Sequence, residues 1–188
     1  MTVSDPVLTE LVSAIEAAPA GLGGCRLVCV DGPAGSGKTT LAAQLAWSLN
    51  CQVVHMDDLY PGWTGMEQGA ALLRDWVLDP LAHGVPGRYQ RYDWPLGTYA
   101  ERHTVPLADV LIVEGCHSAA LSVDDFAPVI IWVEADDDVR LARGLERDGA
   151  DAAEQWTRWM ATERELYAAH RTRERAHLRI DGVGRLVN

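Results

Sequence analysis

Two hydrophobic patterns take turns along the chain. Val7, Leu8, Leu11, Val12 and Ile15 recur at helical spacing, so residues 7–17 are predicted to form an amphipathic helix. "RLVCVD" (26–31) is a short apolar run that ends in a glycine-rich segment and reads as a strand. Leu41, Leu45 and Leu49 then give one face to a second helix, and "CQVVHM" (51–56) is a second strand. Residues 66–83 follow helical spacing, with Leu72, Leu73, Trp76 and Val77 as the buried side. "DVLIVEG" (109–115) and "PVIIWVEA" (128–135) predict two more strands, and helices are expected at 136–148 and 152–174. "AHLRID" (176–181) is a short fifth strand. Apolar strand runs separated by helices imply an α/β fold with a five-stranded parallel sheet covered on both faces. No internal repeat or linker-like stretch divides the chain, so residues 1–188 are expected to form one domain.

Composition narrows the setting. Apolar residues make up 48% of the chain, enough for a substantial core. No stretch has the length of a membrane span, and "MTVSDPVLTE" lacks the basic-then-apolar form of a signal peptide. Cys25, Cys29, Cys51 and Cys116 show no metal-like pairing and read as small thiols in a reducing cytoplasm. A net charge of −11 argues against nucleic acid as a partner, and no membrane association is expected; oligomeric state stays open. Lysine is nearly absent. The single lysine, Lys38, lies within "DGPAGSGKTT".

That segment carries the chemistry. Gly32, Gly37, Lys38 and Thr39 complete the pattern G-x-x-x-x-G-K-T between a strand and a helix, the context that marks a P-loop. Backbone N–H groups from Gly32 through Ala34, Gly35, Ser36, Gly37 and Thr40 are expected to curl around phosphate oxygens, aided by the helix N-terminus. Lys38 would reach the β- and γ-phosphates, and the Thr39 hydroxyl would ligate Mg²⁺. ATP and Mg²⁺ are therefore the expected cofactors, and the sequence leaves ATP versus GTP preference open. The GTPase base-reading motif Asn-Lys-x-Asp is impossible without a second lysine, and no "LSGGQ" segment is present. Glu114 closes the third strand, where P-loop proteins carry the acid that organises Mg²⁺.

The order of "GSGKTT", "DDLY", "RYDWP", "VEG" and "RLARGLERD" resembles the uridine kinase-like family of P-loop kinases over most of residues 26–181. The resemblance implies a P-loop kinase fold with a helical lid at about residues 140–165. It also implies transfer of a phosphoryl group to a hydroxyl of a small molecule, a nucleoside or similar ring-bearing polyol. On that likeness Asp57 is the base at the acceptor hydroxyl, Asp58 being the alternative, and Tyr60 is a wall of the acceptor pocket. Asp93 would bind sugar hydroxyls, Trp94 would offer a flat wall, and His117 would touch substrate. Arg140, Arg143 and Arg147 share one helix face. Arg143 and Arg147 would steady the transferred charge from the lid. His55 reads as a core histidine. The sequence departs from the family pattern in "DGPAGSG", in Leu59 and in "EGCHS". Two other readings stand beside this one: a nucleoside monophosphate kinase, in which Arg88 and Arg91 grip the acceptor phosphate, and a nucleotide-binding regulatory protein with little turnover.

Overall fold

A computed structural model describes residues 2–187. In chain order the elements are α1 (Asp5–Ala17), β1 (Arg26–Asp31), α2 (Lys38–Leu49), β2 (Gln52–His55), α3 (Met66–Leu73), α4 (Asp79–Ala82), β3 (Gly87–Asp93), β4 (Thr98–Val105), β5 (Val110–Glu114), β6 (Val129–Val133), α5 (Asp137–Asp148), α6 (Ala153–His170), α7 (Thr172–Arg175), β7 (Leu178–Ile180) and β8 (Leu186–Val187). The main sheet runs β2-β5-β1-β6-β7-β8. The first five are the expected parallel strands, and β8 adds a sixth that pairs antiparallel with β7 at the edge.

Strand β1 shows why the sheet is covered twice. Leu27 and Cys29 enter one core cluster, with Leu73, Val77, Phe126 and Trp159, while Val28 and Val30 enter the other, with Leu11, Ile15, Leu41 and Leu45. Side chains alternate across a strand, so an uninterrupted apolar run serves both layers. The parallel arrangement brings the C-terminal ends of β1, β2 and β5 side by side, with Val30 opposite Glu114 and Glu114 opposite His55. In open parallel sheets, ligand sites form at that edge.

Two elements differ from expectation. The helix over 66–83 is interrupted: a π-helical turn at Arg74–Leu78, closed by the Asp79 N–H on the Arg74 carbonyl, links α3 to α4. Pro80 lacks an N–H and its ring would collide with the carbonyl four residues back, and a wider turn just before it relieves that conflict. Between α4 and β5 the chain forms an antiparallel β3–β4 hairpin with a register shift between Gln90 and Tyr92. Its strands mix aromatic, charged and small residues and stay largely half-exposed or exposed, so no apolar run announced them.

Candidate active site

The loop from Gly32 to Gly37 is shaped by its neighbours. A Cβ at Gly32 (φ +138°) would lie 2.0 Å from the Val133 carbonyl oxygen, and one at Gly35 (φ +77°) 2.7 Å from that of Arg140. Strand β6 and helix α5 press that closely, so only glycine fits at either position. Behind the loop, the fully buried Asp31 accepts bonds from the amides of Gly32 (2.6 Å), His117 (2.9 Å) and Ala119 (2.8 Å) and from the Tyr167 hydroxyl (2.9 Å). Burial raises its pKa against the pull of those donors. Sequence reasoning passed over this residue, although an acid closing an apolar strand directly before a P-loop was a visible signal.

Glu163 shares the helical spacing of Trp156, Trp159, Met160 and Tyr167, which reads as a structural face; its tie to the loop was not foreseen. Glu163 is 1% exposed and ties helix α6 to the loop. One carboxylate oxygen accepts from the Ala34 amide (2.5 Å), the Trp159 indole (3.0 Å) and the Cys116 thiol (3.2 Å). The other accepts from Arg140 (3.1 Å), which is 2% exposed and also donates to the Ala34 carbonyl (2.8 Å). Three of the expected phosphate-binding amides are thus engaged elsewhere, Gly32 on Asp31, Ala34 on Glu163 and Ser36 on the Pro33 carbonyl (3.2 Å). Ser36 is buried, with a hydroxyl that has no partner among the described residues. Gly35, Gly37 and the first helical residues Lys38, Thr39 and Thr40 line the open side, where a helix leaves its leading N–H groups without intrahelical partners. Lys38 donates to the Pro33 carbonyl at 2.9 Å and lies 3.6 Å from the Cys116 sulfur. Burial works against its charge, but Cys116, Glu114, Glu163 and Asp31 outweigh it and the pKa rises.

Across from the lysine, the Thr39 hydroxyl donates to Glu114 at 3.1 Å, so a hydroxyl and a carboxylate oxygen converge at the start of α2. His55 lies 2.6 Å from the same carboxylate oxygen. This corrects its reading as a core residue: the side chain is 43% exposed, and the bond to Glu114 raises its pKa. Asp57 and Asp58 follow in a 3₁₀ turn at Met56–Asp58. Asp57 opens onto the cavity yet is ringed by protein atoms; that desolvation, then the charge of Glu114, raises its pKa, while Lys38, Arg147 and His55 oppose the rise. Asp58 accepts from the Tyr89 hydroxyl at 3.1 Å.

These groups border one cavity of about 850 Å³. Lys38, Thr39, Asp57, Glu114, Arg143 and Arg147 are all on its wall, as is Trp94, whose indole donates to the Asp57 carbonyl at 2.9 Å. Arg143 bonds the Gly35 carbonyl at 2.9 Å, and Arg147 grips Asp148 at 2.7 and 2.9 Å. Three expected substrate contacts lie off that wall. Tyr60 is fully buried, and its hydroxyl is committed to the Cys116 carbonyl at 2.5 Å. The Asp93 carboxylate is taken up by Arg91 (3.1 Å) and the Leu96 amide (3.0 Å). His117 is 1% exposed against His170, and burial with the nearby His170 and Arg175 lowers its pKa to about 4.

Solved structures share this architecture. A possible uridine kinase from Bacillus stearothermophilus superposes with a TM-score of 0.65 at 19% identity, covering 93% of this chain and 97% of that one. D-Glycerate 3-kinase from Cryptococcus neoformans var. grubii does so with a TM-score of 0.56 at 13% identity, covering 97% and 96%. At these identities the likeness is one of fold, and at that level the uridine kinase-like resemblance holds. A search of curated proteins gives no match. The family model described as "AAA domain" (AAA_18) matches residues 28–167, from within β1 through most of α6, and so takes in the P-loop, Asp57, Glu114 and the α5 arginines. With well over half of the chain matched, the protein belongs to the AAA domain family and carries its P-loop on a uridine kinase-like fold.

Proposed function

We propose that the protein is a kinase that transfers the γ-phosphoryl group of ATP to a hydroxyl of a small molecule, a nucleoside or similar ring-bearing polyol. The observation that carries this reading is the placement of Asp57 on the same cavity wall as Lys38, Thr39 and Glu114. A carboxylate of raised pKa next to a phosphate-binding loop is equipped to take a proton from an attacking hydroxyl. The chain's own groups divide the work. Amides of Gly35, Gly37, Lys38, Thr39 and Thr40, with the Lys38 ammonium, hold the phosphates. Thr39 and Glu114 offer the hard oxygens that Mg²⁺ prefers, and Mg²⁺ takes few protein ligands when phosphates supply the rest. Bound there, the ion would neutralise charge on the phosphates. Asp57 orients the acceptor hydroxyl and accepts its proton. Arg143 and Arg147, on a lid of about residues 140–165, stabilise the transferred charge and exclude water.

Arg91 weighs against the monophosphate kinase alternative. Its guanidinium is held by Glu101 (2.6 and 3.1 Å) and Asp93 (3.1 Å), which leaves no free fork for an acceptor phosphate. Among the described residues no helix is long and apolar enough to cross a membrane. ADP release from MgATP, measured with and without a panel of alcohol acceptors, tests the proposal. Release should require an acceptor and should disappear in Lys38→Ala while the fold persists. Acceptor-independent release, or full activity in Lys38→Ala, would refute it.

A further inference from the structure

The acceptor end of the cavity is walled by indoles that have little to offer except their faces. Trp63, Tyr92, Trp94, Trp156 and Trp159 all line it. Trp63 meets Trp94 at 5.5 Å and 73°, Trp156 at 6.4 Å and 65°, and Trp159 at 6.0 Å and 86°, while Tyr92 meets Trp94 at 5.6 Å and 87°. Rings set near-perpendicular to their neighbours make corners, the form of an aromatic box. Three of the four indole N–H groups are already bonded within the protein: Trp94 to the Asp57 carbonyl, Trp156 to Asp148 and Trp159 to Glu163. Such a wall keeps only the Trp63 N–H and the Tyr92 hydroxyl to read the hydrogen-bonding edge of a ring. It presents the negative faces of π systems.

Net charge at that end points the same way, because the cations there are already paired. Asp57 and Asp58 stand on the wall, and the two arginines nearest the aromatic rings are already paired, Arg91 with Glu101 and Asp93 and Arg147 with Asp148. Trp156 already carries a cation, the Arg147 guanidinium 5.8 Å from its ring. The walls left for a ligand are therefore those around Trp63, Trp94 and Tyr92. A net charge of −11 draws cations toward the molecule and repels anionic acceptors.

We propose that the acceptor is a cationic alcohol, whose permanent positive charge sits in the box formed by Trp63, Trp94 and Tyr92, beside Asp57 and Asp58, with its hydroxyl turned to Asp57. Aromatic faces flanked by carboxylates are suited to a weakly hydrated cation, a charged aromatic ring or a quaternary ammonium. This assignment rests on the kinase reading above for the hydroxyl, and on the walls alone for the charge.

Two probe pairs that differ only in charge test it: N-ribosylpyridinium against its carbon isostere C-ribosylbenzene, and choline against 3,3-dimethylbutan-1-ol. Binding of each is measured by calorimetry with MgATP replaced by a non-hydrolysable analogue, and ADP release is measured in parallel with MgATP. In at least one pair the cation should bind roughly tenfold more tightly than its neutral twin. Whichever pair shows it identifies the charged ring or the ammonium as the source. The preference should shrink to within about twofold in Trp63→Leu and in Trp94→Leu, whose folding is checked by thermal melting, and should weaken in Asp58→Asn. Equal or tighter binding of the neutral twin in both pairs overturns the proposal, whether or not ADP is released. Cation-selective binding without ADP release for any probe supports the box and counts against the kinase reading instead.

Discussion

Replacing Glu163 by glutamine changes one buried oxygen into an amide nitrogen, and its cost follows from the contacts. The Ala34 amide, the Trp159 indole and the Cys116 thiol all donate to one oxygen, which an amide carbonyl can replace. Arg140 donates to the other. Glutamine must present its NH₂ there, donor against donor, and its charge is gone. Arg140, 2% exposed, would retain only Asp137 as an ionic partner, and that carboxylate is 57% exposed. Stranding one member of a buried ion pair costs about 3–5 kcal/mol. For a chain of this size each kcal/mol lowers Tm by roughly 2–4 °C, so Glu163→Gln should melt on the order of 10 °C below the parent. Removing both charges in the double variant Arg140→Met, Glu163→Gln should recover much of the loss, because no uncompensated charge stays buried. Differential scanning calorimetry reads both effects. A Glu163→Gln protein melting within about 2 °C of the parent, or a double variant less stable than the sum of its parts, would refute this reasoning.

Other expectations follow from the same geometry. His117 takes up its proton near pH 4 in the folded protein and near its ordinary 6.5 when unfolded. The unfolded chain therefore binds more protons between those values, so the stability His117 contributes is present above about pH 6.5 and is lost as pH falls toward 4, by about 3 kcal/mol at most. His117→Asn, which tolerates the φ of +64° at that position, should flatten this part of the stability profile in urea titrations; an unchanged slope would contradict it. Arg143→Ala and Arg147→Ala should each slow phosphoryl transfer by roughly tenfold or more, and Arg179→Ala far less; undiminished turnover in both lid variants would mark the arginines as a solvated stripe.

The parallel sheet and the P-loop were legible because both are local: an apolar run buried on two faces, and a loop whose glycines and lysine are adjacent in sequence. The position of Asp57, Glu114, Arg143 and Arg147 on one cavity wall followed because strand ends and one helix face fix where such residues emerge. What stayed hidden depends on partners far along the chain. Glu163 meets the Ala34 amide across 129 residues: its spacing from Trp159, Met160 and Tyr167 marks a structural face, but nothing within "RWMATERELY" names the loop as its partner. His55 and His117 exchanged expected places. His55 lies opposite Glu114 in the β2–β5 register, at the strand's open end, whereas a positive φ after Gly115 places His117 against His170 in the interior. The β3–β4 hairpin escaped because its strands mix aromatic with charged and small residues and carry no apolar run, and it commits Asp93 to Arg91 in place of a substrate.

Asp57→Asn tests the central claim most directly, measured as ATP binding and as phosphoryl transfer to an accepted alcohol in the same preparations. The amide keeps the side chain's shape but cannot take the acceptor's proton, while Lys38, Thr39 and Glu114 remain to hold nucleotide. Transfer should fall by about a hundredfold or more with ATP affinity nearly unchanged, and Asp58→Asn should be milder. Transfer at the parental rate in Asp57→Asn would contradict the account, because the carboxylate assigned to the acceptor's proton would then have no part in the chemistry.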